Sequence, residues 1–464
     1  MFRNRLKVLQ RPLLAALLAG ATALPAYAES LADTMVAAYR HSALLEQNRA
    51  VLRAADEDAA TALAQLRPIV QWVAGYTYQN IEGFDGNSAS ISLQASMTLY
   101  DWGRNAIAID IAKESVLATR ASLVGVEQDV LLGAIRAYLD VRSATEQVEL
   151  QQNSVRVLGE EQQAATDRFD VGEITQTDVS QADAALAAAR ADLASAEGDL
   201  EVARESFRAA TGKFPNKLDP LPPTPKLPAS LASAREIGQR THPLIQQAKR
   251  EAAASELGVA AAAAERNPEL TGSAALTKQT NKTQATGSSL ESDVGSVSLN
   301  MSQTIYSGGR LPSAHRRAMA QRDATRSSLL NTARQVDQAV GTSWANIDVA
   351  NAQISAIDQQ IVSARQAFQG VREEATLGAR TTLDVLEAEQ ILLQAMADKI
   401  TAVANLQLAH YQLLSSMGLL TVENLKLGIP TYDPSAYYKA VKDAPFTSRQ
   451  GESLDRVLRS IGKK

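Results

Sequence analysis

The chain has no cysteine among its 464 residues. That excludes a disulfide framework, thiolate metal ligation and an acylated-cysteine lipid anchor after the expected cleavage site. Histidine is scarce: His41, His242, His315 and His410 lie far apart and form no ligand-spaced pair, so no metal site is expected. Aromatic residues make up only 5%, too few for a large globular core and suited to helices packed through small side chains. Charge is nearly balanced, with 46 Lys+Arg against 51 Asp+Glu and a net charge of -5, so nothing calls for a nucleic-acid partner. There is no activated-nucleophile pattern and no metal cluster, which argues against an enzyme, and no cofactor is expected. Past the N-terminal segment no apolar run reaches about 18 residues, so any membrane crossing must be made by a β-barrel.

What is present begins with a secretory signal. Arg3, Arg5, Lys7 and Arg11 give a positive region, Leu13 to Leu24 a short apolar stretch, and Ala26-Tyr27-Ala28 a cleavage site. Residues 1–28 are therefore expected to be removed, leaving Glu29 as the first mature residue.

The rest of the chain is written twice. Leu99-Tyr100-Asp101-Trp102-Gly103-Arg104 matches Ile305-Tyr306-Ser307-Gly308-Gly309-Arg310 at an offset of 206. Gly172, Asp178-Val179 and Gly212 recur at the same offset as Gly378, Asp384-Val385 and Gly418. Upstream, Arg40, Leu44, Gln47 and Pro68 recur 200 positions on as Arg240, Leu244, Gln247 and Pro268. Six extra residues thus lie between Pro268 and Tyr306, where an insertion is expected at a loop tip. The proline-rich stretch Pro215 to Pro228 cannot continue a helix. The expected organisation is a first repeat over 29–213, a linker over 214–229, a second repeat over 230–428 and a tail over 429–464.

Within each copy the period shifts from two to that of a helix. Val70, Trp72, Ala74, Tyr76 and Tyr78 alternate with Gln71, Val73, Gly75, Thr77 and Gln79. After a turn expected over Gly83 to Asn87, Ile91, Leu93, Ala95, Met97 and Leu99 alternate in the same way. The second copy repeats the pattern less cleanly from Pro268 to Thr280 and clearly again at Val297, Leu299, Met301 and Ile305, where Gln303 breaks the apolar row. Such strands fit a barrel with lipid outside and a wet lumen; a soluble sheet with one buried face is the other reading. Two hairpins give four strands, fewer than the roughly eight of the smallest usual membrane barrels, so closure would require several subunits. Tyr76, Tyr78, Tyr100 and Tyr306 fit interfacial belts or ordinary strand aromatics. Gly103, Gly308 and Gly309 read as strand-to-helix kinks. Gly308-Gly309 lacks the Lys-Ser/Thr of a phosphate loop.

From Arg104 to about Phe169 there is no proline, and two apolar stripes run side by side, as on a helix that touches two neighbours. About 65 helical residues reach roughly 100 Å. Shorter helices are expected near 31–66, 178–211, 231–266 and 384–417.

With these features the chain resembles the TolC-like outer-membrane factor family. The likeness runs from Leu31 to about Leu427. It rests on the two strand-to-helix junctions, on Arg168-Phe169-Asp170-Val171-Gly172, and on Leu377-Gly378-Ala379-Arg380-Thr381-Thr382-Leu383-Asp384-Val385-Leu386. The resemblance implies an α+β membrane protein, a homotrimer whose 12-stranded β-barrel, four strands per chain, continues into a periplasmic α-barrel of coiled helices. It implies a passive export duct in the Gram-negative outer membrane, surrounded by outer-membrane lipid. Its partners would be a periplasmic adaptor (membrane fusion) protein and an inner-membrane ABC or RND-type pump. The tail from Tyr432-Asp433-Pro434 resembles members serving type I protein secretion, while Ser453 to Gly462 fits either a short amphipathic helix or a disordered end. Multidrug efflux is the alternative within this class. A periplasmic coiled-coil adaptor without a pore is the alternative outside it, and it leaves the twin hairpins unexplained.

The resemblance also implies roles at the helix turns. Thr177, Asp178 and Arg380 would latch the periplasmic end, and Asp384 and Glu387 would line the constriction. Ala375 stands where relatives can use a latch tyrosine. Asp384 and Glu387 are three apart and share a helix face, so three subunits would gather about six carboxylates into a cation-favouring ring. The first copy has Gln181 and Ile174 where the second has Glu387 and Arg380, so only the second copy builds the ring. A plainer role is open at the same residues. Thr175-x-x-Asp178 and Thr381-x-x-Asp384 have capping-box spacing, and Arg380 could pair with Asp384 one turn away.

Overall fold

A computed structural model describes residues 28–81, 84–283 and 289–442, together with Arg456. Apart from Ala28 and Arg456, the expected signal peptide and the 453–462 stretch lie outside the described residues. Each half of the chain runs helix, helix, hairpin, very long helix, helix. The first half is α1 (Leu31–His41), α2 (Ala43–Ala64), β1 (Ile69–Ile81), β2 (Phe84–Tyr100), α3 (Arg104–Asp170) and α4 (Gln176–Thr211). The second is α5 (Leu231–Thr241), α6 (Pro243–Ala264), β3 (Glu269–Thr283), β4 (Ser289–Ser302), α7 (Arg310–Thr376) and α8 (Thr382–Ser416). A short α9 (Ala436–Val441) follows in the tail. Helices α3 and α7 have 67 residues each.

Two helices expected as single pieces are each broken in two. The stretch 31–66 divides at Ser42, whose φ of -61° and ψ of 110° leave the helical region while its side chain accepts from the Leu45 amide. The stretch 231–266 divides at His242, 200 positions later, where Pro243 forces its predecessor to ψ 129°. There the imidazole Nδ1 caps by accepting from the Leu244 amide at 3.2 Å.

The four strands form one antiparallel sheet in the order β1-β2-β3-β4. Pairing reaches Ile81 opposite Phe84, so residues 84–87, expected in the turn, are strand. Lys282 pairs with Ser289, seven positions on, against three from Ile81 to Phe84; four of the six extra residues therefore sit at the second hairpin's tip. Ile305 and Tyr306, expected at the end of β4, lie beyond it. The reason is the ladder itself: Ser302 is opposite Glu269, the first residue of β3, and further residues find no partner.

The described residues pack as two compact units, each drawing on both sequence copies. One comprises 28–41, 134–224 and 359–404; the other comprises 42–133, 225–358 and 405–442. In the first, α1 packs on α4 around Met35, Ala38, Tyr138, Ala203 and Phe207, all buried. The proline-rich linker is tied down here. Tyr138 donates its hydroxyl to the Asp219 carbonyl at 2.7 Å, Arg142 donates to the same oxygen at 2.8 Å, and Leu218 bridges to Glu29. In the second unit Leu45, Leu52, Leu131, Val340, Leu413, Met417 and Leu420 form the buried core. There α9 lies on α2, with Tyr437 donating its hydroxyl to Glu57 at 2.7 Å and the Arg49 guanidinium over the Tyr432 ring.

Candidate functional site: the helix turns and the apolar sheet face

The turn joining α3 to α4 and the turn joining α7 to α8 are built the same way. Each long helix ends on a left-handed glycine, Gly172 at φ 79° and Gly378 at φ 76°. Behind it the amide of Glu173 bonds the Arg168 carbonyl at 2.9 Å, and the amide of Ala379 bonds the Glu374 carbonyl at 2.9 Å. Gly172 reaches Phe169, and Gly378 reaches Ala375. This pairing of a six-residue with a four-residue closure satisfies the last helical carbonyls. Three residues on, the next helix begins with a full capping box. Thr175 Oγ1 accepts from the Asp178 amide at 3.4 Å while Asp178 Oδ2 accepts from the Thr175 amide at 2.9 Å; Thr381 and Asp384 exchange the same bonds at 3.2 and 2.9 Å. These bonds stabilise the ionised carboxylates and hold both aspartates below the ordinary range, through the Thr175 hydroxyl and amide for Asp178 and the Thr381 amide and hydroxyl for Asp384.

Both aspartates therefore start helices within the chain. Arg380 does not pair with Asp384; its Nε bonds Glu374 Oε2 at 2.9 Å, back across the turn. Thr177 is exposed on the first turn of α4, and Glu387 is exposed on α8 one turn beyond Asp384.

Sequence reasoning did not find the links between the two hairpins. Arg168 Nη2 donates to the Ala375 carbonyl at 3.2 Å. Ala375 itself is buried, and because a backbone oxygen accepts, the contact does not depend on its side chain. Leu386 of α8 packs on an apolar cluster of Val155, Leu158, Ala185, Leu186 and Ala189 from α3 and α4. Arg372 of α7 lies 2.9 Å from Glu161 of α3. These contacts join residues about 200 positions apart, which no local pattern in the sequence reveals.

The strand-to-helix junctions are also paired. Asp101 caps α3 by accepting from the Gly103 and Asn105 amides at 3.0 and 2.6 Å; its counterpart Ser307 accepts from the Leu311 amide at 3.2 Å. The chain turns through Trp102 and Gly103 at φ 51° and 87°, and through Gly308 and Gly309 at 60° and 89°. Trp102 occupies the left-handed region at a cost of about 1–2 kcal/mol, and its ring meets Tyr100 edge-on at 4.7 Å.

The sheet carries most of its apolar side chains on one exposed face, which Lys278 and Asp293 bound beside Ile91. The register sets Val70, Ala95, Ala274 and Val297 in one row and Trp72, Leu93, Leu276 and Gly295 in the next. Of these, Trp72 is 70% and Val297 88% exposed. The opposite face is mostly polar and self-bonded, with Ile69, Val73, Leu290 and Val294 among its apolar exceptions: Ser273 and Ser298 hydroxyls meet at 2.7 Å, Gln94 donates to Ser92 at 3.2 Å, and Ser92 is buried. Nothing within the described residues covers the apolar rows, although such a contiguous patch is rare on a soluble surface. No helix of the described residues is long and apolar enough to cross a membrane.

A sheet greasy outside and wet inside, with helices of 67 residues, is the build of an outer-membrane channel. Comparison with known proteins makes the assignment: residues 35–213 and 239–419 match the model of the outer membrane efflux protein family, and the chain belongs to it. It is 30% identical over 425 residues to the outer membrane efflux protein BepC of Brucella suis, covering 91% of this chain and 93% of that one. It is 27% identical to the outer membrane protein TolC of Escherichia coli over 393 residues, 80% of each. The fold is shared with the Campylobacter jejuni CmeC outer membrane channel, with a TM-score of 0.75, 15% identity and 89% of both chains covered. The protein is an α+β outer-membrane channel with its helical part in the periplasm.

Proposed function

We propose that the chain forms a homotrimeric exit duct of a tripartite export system, and that this system performs type I protein secretion. The observation that carries the duct is the sheet. Its two outer strands, β1 and β4, each pair on one side only, and its apolar face is exposed. An open sheet is intolerable in lipid, because unpaired backbone groups have no water there. Three copies, four strands each, would close the edges. Substrate would be handed over by a periplasmic adaptor and an inner-membrane pump of ABC or RND type. The protein-secretion reading is supported by the Tyr432-Asp433-Pro434 tail. That the BepC relative is an efflux protein favours small-molecule export as the second reading.

We place closure at the helix turns. Thr177, Asp178 and Arg380 are the latch, reaching neighbouring hairpins of the trimer, while Asp384 and Glu387 supply a ring of carboxylates. Gly103, Gly308 and Gly309 let the chain pass from strand to helix. The capping roles of Asp178 and Asp384 are compatible with this, since a capping carboxylate keeps lone pairs free for a second donor. Planar-bilayer recording tests it: Asp178→Ala and Arg380→Ala should raise conductance, and Asp384→Asn with Glu387→Gln should reduce cation preference. Unchanged conductance and selectivity would overturn the gate assignment. For the cargo, the secreted proteins of a deletion strain are compared with those of its parent. Loss of one or a few large proteins, restored by complementation, supports protein secretion; an unchanged profile with new drug sensitivity supports efflux.

A further inference from the structure

Roughly two turns above the helix tips, a buried acid lies between the two hairpins. Glu389 of α8 is only 8% exposed, and its Oε2 has no hydrogen-bond partner. Glu161 of α3, whose side chain is 15% exposed, acts on it with a like charge. The neighbouring cation is Arg372 of α7, half exposed, and its Nε lies 2.9 Å from Glu161 as a close ion pair rather than an aligned hydrogen bond. From α4, which joins the same packing through Ala185 and Leu186, comes the exposed Asp183, which accepts from Gln162 at 2.9 Å. On α8 itself the nearest acid is the exposed Glu387. So two carboxylates converge at a seam between α3 and α8 with one solvent-screened arginine, and that arginine is on Glu161. Burying an ionised carboxylate without a partner is costly, and a proton removes the cost. In the first sequence copy the position of Glu389 holds the exposed Asp183, so only the second hairpin has this feature.

We infer that Glu389, set against Glu161 at the seam between the α3/α4 and α7/α8 hairpins, is a proton-operated brake on the tips. Protonated, it lets α8 lie against α3; ionised, it drives the two hairpins apart. The inference rests on the duct reading and adds a regulation to it. The balance is a simple one: Glu389 takes one proton from solvent in acid and returns it in base, while Glu161 stays paired with Arg372. Burial first, then the Glu161 charge, push the Glu389 carboxyl up to about 7, with Arg372 opposing. The step therefore falls inside the range that a bacterial exterior visits. The Asp384 carboxyl is held low by the Thr381 bonds and does not titrate there.

The test uses the full chain, purified in detergent and recorded in planar bilayers from pH 5.5 to 8.5. Wild-type conductance should rise severalfold with a midpoint near 7. Glu389→Gln should hold the low, acid-like conductance throughout. Glu161→Gln should move the midpoint to lower pH, because it removes a charge that raises Glu389, and Arg372→Ala should move it higher. A merely structural role would not shift a midpoint. A pH-flat wild-type channel, or an unchanged step in Glu389→Gln, overturns the brake and leaves the duct standing. Failure of the wild type to form any channel overturns both.

Discussion

Replacing Asp56 by asparagine should make the protein more stable at pH 8 and leave it nearly unchanged at pH 4. Asp56 lies on α2 with no exposed surface, and neither carboxylate oxygen has a hydrogen bond. Arg120 comes only to 3.7 Å, with its guanidinium turned over the Tyr438 ring. Burial dominates, and the carboxyl is pushed up from 3.8 to about 6, with Arg120 opposing and Glu57 assisting. A carboxyl raised in the folded state stabilises fully below its unfolded value and loses that contribution as pH climbs through the folded value. The window is thus about 4 to 6, and a shift of roughly two units corresponds to about 3 kcal/mol at most. Asparagine has the same shape and no charge. Relative to wild type it should gain about 1–3 kcal/mol at pH 8, less what the Arg120 attraction supplied. Heat-induced unfolding of the detergent-solubilised protein, followed by far-ultraviolet circular dichroism at both pH values, measures this. Glu389 titrates in a neighbouring pH range, so the quantity to read is the difference between variant and wild type at each pH. If Asp56→Asn is destabilised at pH 8 by more than at pH 4, the ion pair with Arg120 outweighs desolvation and the reasoning is wrong.

Three further outcomes follow from the same geometry. Val297→Lys places a charge in the middle of the exposed apolar rows; against lipid it should cost about 2–4 kcal/mol and lower recovery from the outer-membrane fraction, whereas on a solvent-facing sheet it would be neutral. Gly418→Ala forces a side chain at φ 76° with its Cβ 2.7 Å from His242 Cα. Backbone meets backbone there, so more than about 2 kcal/mol should be lost, against about 1 kcal/mol for Gly103→Ala, where the space is open; the two melting temperatures decide. Thr175→Ala removes the N-cap acceptor of α4 and should cost about 1 kcal/mol, detected as faster amide exchange confined to the first turn of that helix.

Much of the architecture is local and was legible in the residues. The alternation in 70–78 and 91–99 requires a strand with two unlike faces, since side chains repeat every two positions. The absence of proline over 104–169 and the paired stripes allow only a continuous helix. The T-x-x-D pairs after Gly172 and Gly378 state where one helix stops and the next starts, because the caps use neighbours three residues apart. The duplication, at an offset of 200 before the hairpins and 206 after them, announced two equivalent halves. Even the breaks at Ser42 and His242 had local signals, a capping serine and a pre-proline histidine, hidden by helix-forming neighbours on both sides.

What the sequence could not supply depends on contacts between distant positions. The linker looks like a free spacer until Tyr138 and Arg142 close on the Asp219 carbonyl. The end of β4 at Ser302 is set by the start of β3, not by its own residues. Arg380 turns to Glu374 rather than to Asp384 because the αL turn at Gly378 folds the chain back. Glu389 reads as one more surface acid on a polar helix. Only when α3, α7 and α8 come together does it lose its water and meet Glu161. Periodicity fixes which face a residue occupies; desolvation and pairing are decided by what the fold sets opposite that face.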